Sequence, residues 1–62
     1  MFKVISKNSN IYTGNIASPD HQVIAKDYYQ VGNILSRFNV IYIYGHDEMF
    51  LPRSQVKGWF EI

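Results

Sequence analysis

Apolar and polar residues alternate in FKVIS, residues 2 to 6, with Phe2, Val4 and Ser6 on one side and Lys3 and Ile5 on the other. A period of two marks a strand. Lys7-Asn8-Ser9-Asn10 then brings four turn formers together. IYTGNI, residues 11 to 16, keeps strand character although Gly14 and Asn15 weaken it. The pattern predicts a hairpin of about 2–6 with 10–16.

Farther along, the period lengthens. Ile24, Tyr28, Val31, Leu35 and Phe38 recur at intervals of four, three, four and three, which lays them along one face of a helix. Lys26, Gln30, Asn33 and Arg37 fall largely on the other side. The spacing predicts a helix over about 27–38, with Gly32 costing it about 1 kcal/mol relative to alanine. Its start has two readings. Ser18-Pro19-Asp20 combines an N-cap, a first-turn proline and an anion favoured by the helix dipole. Asp27 is the alternative cap, in which case residues 21 to 26 are extended. Asn39 tolerates the left-handed geometry of a C-terminal cap and is expected to end the helix.

Val40 to Tyr44 consists wholly of β-branched and aromatic residues and is the strongest strand signal in the chain. Gly45-His46-Asp47-Glu48 supplies a turn and Met49-Phe50-Leu51 the return, while Pro52, having no N–H, closes that strand or sits on an edge. Residues 53 to 56 suit a single helical turn or a short connection, and Gly58 allows a bend into a last strand, Trp59 to Ile62. The order ββ-α-βββ predicts an α+β fold: one domain over residues 1–62, a small antiparallel sheet of four to five strands, and one amphipathic helix across it. The expected core is Phe2, Val4, Ile24, Tyr28, Val31, Leu35, Phe38, Ile41, Ile43, Phe50 and Ile62.

The stretch FLPRSQV, a strand closed by proline, a polar turn, then valine before a final strand, is similar to the way SH3 domains end. That resemblance implies an SH3-like small β-barrel as the alternative fold. It covers these residues only. The aromatic ligand-binding pattern of that family's first half is absent and a helix has no place in its barrel, so no binding residues are carried over.

Composition narrows the function. A chain of 62 residues buries about 60% of the surface its unfolded form exposes. With 47% hydrophobic residues, including five Tyr, four Phe and one Trp, it holds more rings than such a core can enclose, so some belong at the surface. Absence of cysteine excludes disulfides and thiolate metal sites. No cofactor is expected. Six Lys and Arg against five Asp and Glu, spread along the chain, form no polybasic tract for nucleic acid or anionic lipid. MFKVISKNSN lacks the apolar core of a secretory signal, and residues 40 to 44 are far short of the roughly 20 needed to span a bilayer. A cytoplasmic protein without membrane association is expected.

His46-Asp47-Glu48 invites a metal or proton-transfer reading. Side chains adjacent in a hairpin tip splay apart, whereas chelation needs ligands that converge. These three are read as a polar tip, His21 as a solvated histidine, and no metal site is expected. No GxSxG elbow, glycine-rich phosphate loop or recognisable carboxylate pair occurs. A non-enzymatic protein is expected, since a walled active site is hard to build in so short a chain.

The aromatic residues carry the functional expectation. A period of two puts Val40, Tyr42 and Tyr44 on one face of their strand and Ile41 and Ile43 on the other. One helix covers one face, and the isoleucines belong beneath it. Tyr42, Tyr44 and Trp59 are expected to form a partner-binding patch with Arg53 at its rim, since Tyr, Trp and Arg dominate binding hot spots. The plainer reading is that these tyrosines are half-exposed with hydroxyls in water. The expected function is a small protein-interaction module that binds and blocks or modulates a larger protein partner, in the manner of phage and mobile-element accessory inhibitors, acting as a homodimer. The alternative is a single-stranded nucleic-acid-binding protein that stacks bases on Tyr and Trp, although the basic groove this requires is missing.

Overall fold

The second strand has a different neighbour for each of its halves. In the computed structural model, which describes all 62 residues, β1 (Phe2–Ser6) is followed by β2 (Ile11–Ala17), α1 (Tyr28–Arg37), β3 (Val40–Tyr44), β4 (Met49–Pro52), a 3-10 turn (Arg53–Gln55) and β5 (Val56–Glu61). Residues 11 to 14 of β2 pair with β1, whereas Asn15, Ile16 and Ala17 pair with Tyr44, Ile43 and Tyr42 of β3. The handover falls at Gly14. A Cβ there would lie 2.7 Å from the Tyr44 carbonyl oxygen and 2.8 Å from Ile43 Cγ2, so only glycine lets the two backbones approach.

All five strands are antiparallel and form one sheet in the order β4-β3-β2-β1-β5, with α1 inserted between β2 and β3. This is the α+β arrangement read from the sequence. FLPRSQV does form the end of β4, the 3-10 turn and the start of β5, but the sheet stays open with β4 and β5 as its two edges. The barrel implied by the SH3 resemblance is therefore not formed.

The helix starts at its second candidate cap. Asp27, in extended conformation, accepts a hydrogen bond from the Gln30 backbone N–H at 2.9 Å. Ser18-Pro19-Asp20 makes a turn instead, correcting the first reading of the start. Ser18 Oγ accepts from Val23 N–H at 3.0 Å and donates to Asp20 Oδ1, which also accepts from Gln22 N–H at 3.1 Å. Local bonds of this kind compete with helix formation. The chain then runs back beside β2, with Ser18 N–H bonded to the Val23 carbonyl and Ala25 N–H to that of Ile16. At the other end Phe38 is extended and its N–H reaches the Ile34 carbonyl. Asn39 is not among the residues of positive φ, so the expected left-handed cap is replaced by another device, Arg53, described below.

Val31, Ile34 and Leu35 form the buried face of the helix and pack with Phe2, Val4, Ile16, Ile41, Ile43 and Leu51 of the sheet. Fully burying each such side chain contributes about 1.5–3 kcal/mol. Four residues expected in this core lie outside it. Ile24 precedes the helix and is 50% exposed, Tyr28 opens it, Ile62 follows the end of β5 and is 57% exposed, and Phe50 is 56% exposed. Phe50 is a register effect. A four-residue tip at 45–48 would pair Tyr44 with Met49 and set Phe50 opposite Ile43. The observed pairs are Ile43 with Met49, Tyr42 with Phe50 and Ile41 with Leu51, and a slip of one residue sends every side chain of the strand to the other face. The slip has a visible cause in Asp47, whose N–H donates to the Thr13 carbonyl at 2.8 Å and whose Oδ2 accepts from Thr13 N–H at 2.7 Å. The tip is thereby drawn into the sheet beside the half of β2 that β3 does not reach. No helix is long and apolar enough to cross a membrane.

Candidate functional site

Residues directly opposite in an antiparallel pair share a face. Val4 with Trp59, Ile16 with Ile43 and Ile41 with Leu51 accordingly face the helix, while Ala17, Tyr42 and Phe50, together with Asn15 and Tyr44, face away from it. On that outer face the aromatic rings are ordered by one another. The Tyr42 ring lies parallel to His21 at 4.2 Å between centroids, parallel to Tyr44 at 5.3 Å, and tilted against Phe50 at 5.1 Å. The Tyr44 and Phe50 distances are in the range where aromatic pairs attract beyond simple burial, and the His21 ring stacks closer still.

The local sequence explains how these rings meet. Tyr42 and Tyr44 are two residues apart on β3, so they are neighbours on one face. His21 arrives from the Ser18 turn, where it adopts a left-handed backbone with φ of 64°. Its ring and Tyr42 together cover Ala17, which is buried although it faces outward. Ala17, His21, Ile24, Tyr42 and Tyr44 line an open recess of about 260 Å³.

Glu48 fixes one edge of the stack. The Tyr42 hydroxyl donates to its Oε2 at 3.0 Å. Partial desolvation, and then the bond to and charge of Glu48, push the Tyr42 phenol above its ordinary value, so it remains a donor. Beyond His21, the Ser18 hydroxyl and then the Gln22 N–H hold the Asp20 carboxyl below the usual range, keeping it ionised. His46 is largely exposed, and its Nδ1 lies 3.7 Å from Asp47 Oδ1. No three His, Asp or Glu side chains converge on a point. Of the three polar tip residues, Asp47 and Glu48 each hold a partner in the fold.

Of the four residues expected to form one patch, the structure brings Tyr42 and Tyr44 together and sets the other two apart. Trp59 lies on the helix side. Its Nε1 donates to the Tyr28 carbonyl at 3.0 Å, its ring is tilted on Tyr28 at 5.3 Å, and a Cβ on Gly32 would touch it at 3.6 Å. The indole thus docks the first turns of α1 against β5. Arg53 caps the other end of that helix, with Nη1 donating to the Leu35 carbonyl at 3.1 Å and Nη2 to Asn39 Oδ1 at 3.0 Å. The outer face takes in their place Phe50 and Ile24, both expected in the core, and His21, expected to be solvated. Phe50 could have been found by pairing the hairpin one residue closer, while His21 carries no periodic signal at all.

No family model, curated protein or solved structure matches this chain.

Proposed function

We propose that the protein is a small non-enzymatic interaction module that seats its outer aromatic face on a larger protein partner and thereby blocks or modulates it. The observation that carries this reading is the mutual stacking of His21, Tyr42, Tyr44 and Phe50 on solvent-facing sheet, with Phe50 more than half exposed. Rings already ordered by their neighbours lose little freedom when a partner covers them. Tyrosine also offers wide amphipathic contact, which is why it recurs at hot spots. The polar pair within the stack, Tyr42 with Glu48, is already satisfied, an arrangement that suits recognition more than bond making.

Nucleic acid ranks lower for an electrostatic reason. Bases of single-stranded nucleic acid would stack on these rings, but no Lys or Arg lines the recess to hold phosphates, and Glu48 is bonded to Tyr42. A homodimer would cover the same face with its own copy, and capture distinguishes it because the bait then recovers only itself. Capture from source cells tests the reading. Tyr44→Ser with Phe50→Ser should lose the partner while Tyr29→Ser on the helix side retains it; equal retention by both baits would refute the assignment of the face.

A further inference from the structure

The two edges of the sheet, β4 and β5, differ in what they leave unpaired. Hydrogen-bonded and non-hydrogen-bonded positions alternate along an antiparallel pair. Arg53 N–H reaches the Asn39 carbonyl, so in the register of Leu51 with Ile41 and Met49 with Ile43 only Phe50 and Pro52 of β4 turn outward. Pro52 has no N–H to offer, and that edge is nearly closed. On β5, Ile62 N–H reaches the Met1 carbonyl, and the same register runs on through Phe60 with Lys3 and Gly58 with Ile5. Trp59 and Glu61 therefore turn their N–H and carbonyl groups away from the sheet. The register shift between Ile5 and Ser6, which leaves Lys57 as the extra residue, ends this open stretch.

We propose that the open edge of β5 receives a second copy of this chain, the two β5 strands pairing antiparallel about a twofold axis at Phe60 to make one continuous sheet. An unpaired edge is a template for another strand, and this one fits its own copy. An axis at Phe60 sets Trp59 opposite Glu61 of the second copy and Glu61 opposite its Trp59, so the outward donors and acceptors of both residues are all used. An axis at Glu61 would oppose two carboxylates, which destabilises, and one at Trp59 would run the ladder into the bulge of each copy. Side chains approach most closely at non-hydrogen-bonded pairs. Here those pairs are Phe60 with Phe60, and Ile62 with Gly58. Phe60 is 43% and Ile62 57% exposed, and a Cβ on Gly58 would have nothing within 4 Å, which leaves room for Ile62 of the second copy. Lys3, opposite Phe60 on β1, turns its ammonium to Thr13 on the β2 side. With β4 closed by Pro52, the contact gives a dimer and not a filament. Both helices lie on one side of the joined sheet, and both aromatic stacks stay open on the other.

Sedimentation equilibrium of the intact chain should show the average mass rising from 7.3 kDa towards twice that value between about 10 μM and 1 mM, the range of a small transient contact. Glu61→Pro removes an outward N–H at an edge position where proline is tolerated. Each dimer then loses two ladder bonds, and association should weaken roughly 10-fold. A second measurement needs no proline. The chain has no cysteine, and Cα atoms of a non-hydrogen-bonded pair lie about 4.5 Å apart, within the span of a disulfide. In glutathione buffer Phe60→Cys should form a linked dimer roughly 10-fold faster than Ile11→Cys, although Ile11, on β2, is the more exposed residue. A mass that stays at 7.3 kDa up to about 1 mM, equal oxidation of the two cysteine variants, or undiminished association of a folded Glu61→Pro would each overturn the proposal. Tyr44 and Phe50 lie on β3 and β4, at the other end of the sheet. Crosslinks from them judge the aromatic face separately, so the two readings fail independently.

Discussion

Asp47 holds Thr13 by two hydrogen bonds, one from its own N–H to the Thr13 carbonyl and one from the Thr13 N–H to its carboxylate, across 34 residues of chain. That clasp fixes the β3–β4 register and so decides that Phe50 faces outward beside Tyr42. Removing the carboxylate leaves a partly buried N–H without its charged acceptor, at a cost of about 1–3 kcal/mol. Asp47→Ala should lower the urea midpoint accordingly, and Asp47→Asn, which keeps an oxygen acceptor, should lower it less.

Arg53 and the partner surface separate cleanly. Arg53→Ala removes the bonds to Leu35 and Asn39 and should cost roughly 0.5–1.5 kcal/mol in chemical denaturation, with Arg53→Lys recovering only part because a single ammonium cannot span both acceptors. Partner capture should be unchanged by either variant. Loss of capture in a folded Arg53 variant would return this residue to the binding surface.

Trp59 is the sole tryptophan, and its ring sits against α1. Its fluorescence should therefore follow helix docking during unfolding and stay constant when the outer face is occupied. Trp59→Phe loses the bond to Tyr28 and should cost about 1 kcal/mol; Trp59→Ala should cost about 3 kcal/mol through lost packing.

The Tyr42 phenol is raised by partial desolvation first and by Glu48 second. A raised folded value favours the protonated state in the fold, so this contribution to stability is present below the ordinary tyrosine range near 10.0 and is lost as pH climbs through the folded value. In ultraviolet titration one of the five tyrosines should ionise late, and Glu48→Gln should bring it part of the way back. Asp20 works in the opposite sense. Its depressed value gives stability above the ordinary 3.8 that fades as pH falls through the folded value, and Asp20→Asn should remove that acid-side slope.

The sequence made some parts of the molecule legible and hid others, for identifiable reasons. Strand positions 40 to 44 and the helix at 28 to 37 have strong local periods, and both form where expected, with Ile41 and Ile43 beneath the helix. Ile34 escapes the three-and-four spacing, which steps past it from Val31 to Leu35. The side of the sheet that Phe50 takes depends on register, and the long-range Asp47–Thr13 clasp bearing on that register is encoded in no local pattern. The pairing of Tyr42 with Tyr44 was readable from their spacing of two. Residue type alone points Trp59 and Arg53 to the patch, whereas the register of β5 with β1 and the open carbonyls at the helix end decide where they sit. His21 reaches the stack through a turn and a positive φ that follow from Ser18 and Asp20 bonding, a feature visible only in three dimensions.

The claim that the outer face is the partner surface is tested most directly by site-specific photocrosslinking in source cells, with benzoylphenylalanine placed singly at Tyr44, Phe50 and Tyr29. Positions 44 and 50 should each yield one adduct of the same partner protein, and position 29 none. Adducts arising from position 29 alone, or a doubled mass of the chain itself from positions 44 and 50, would contradict it.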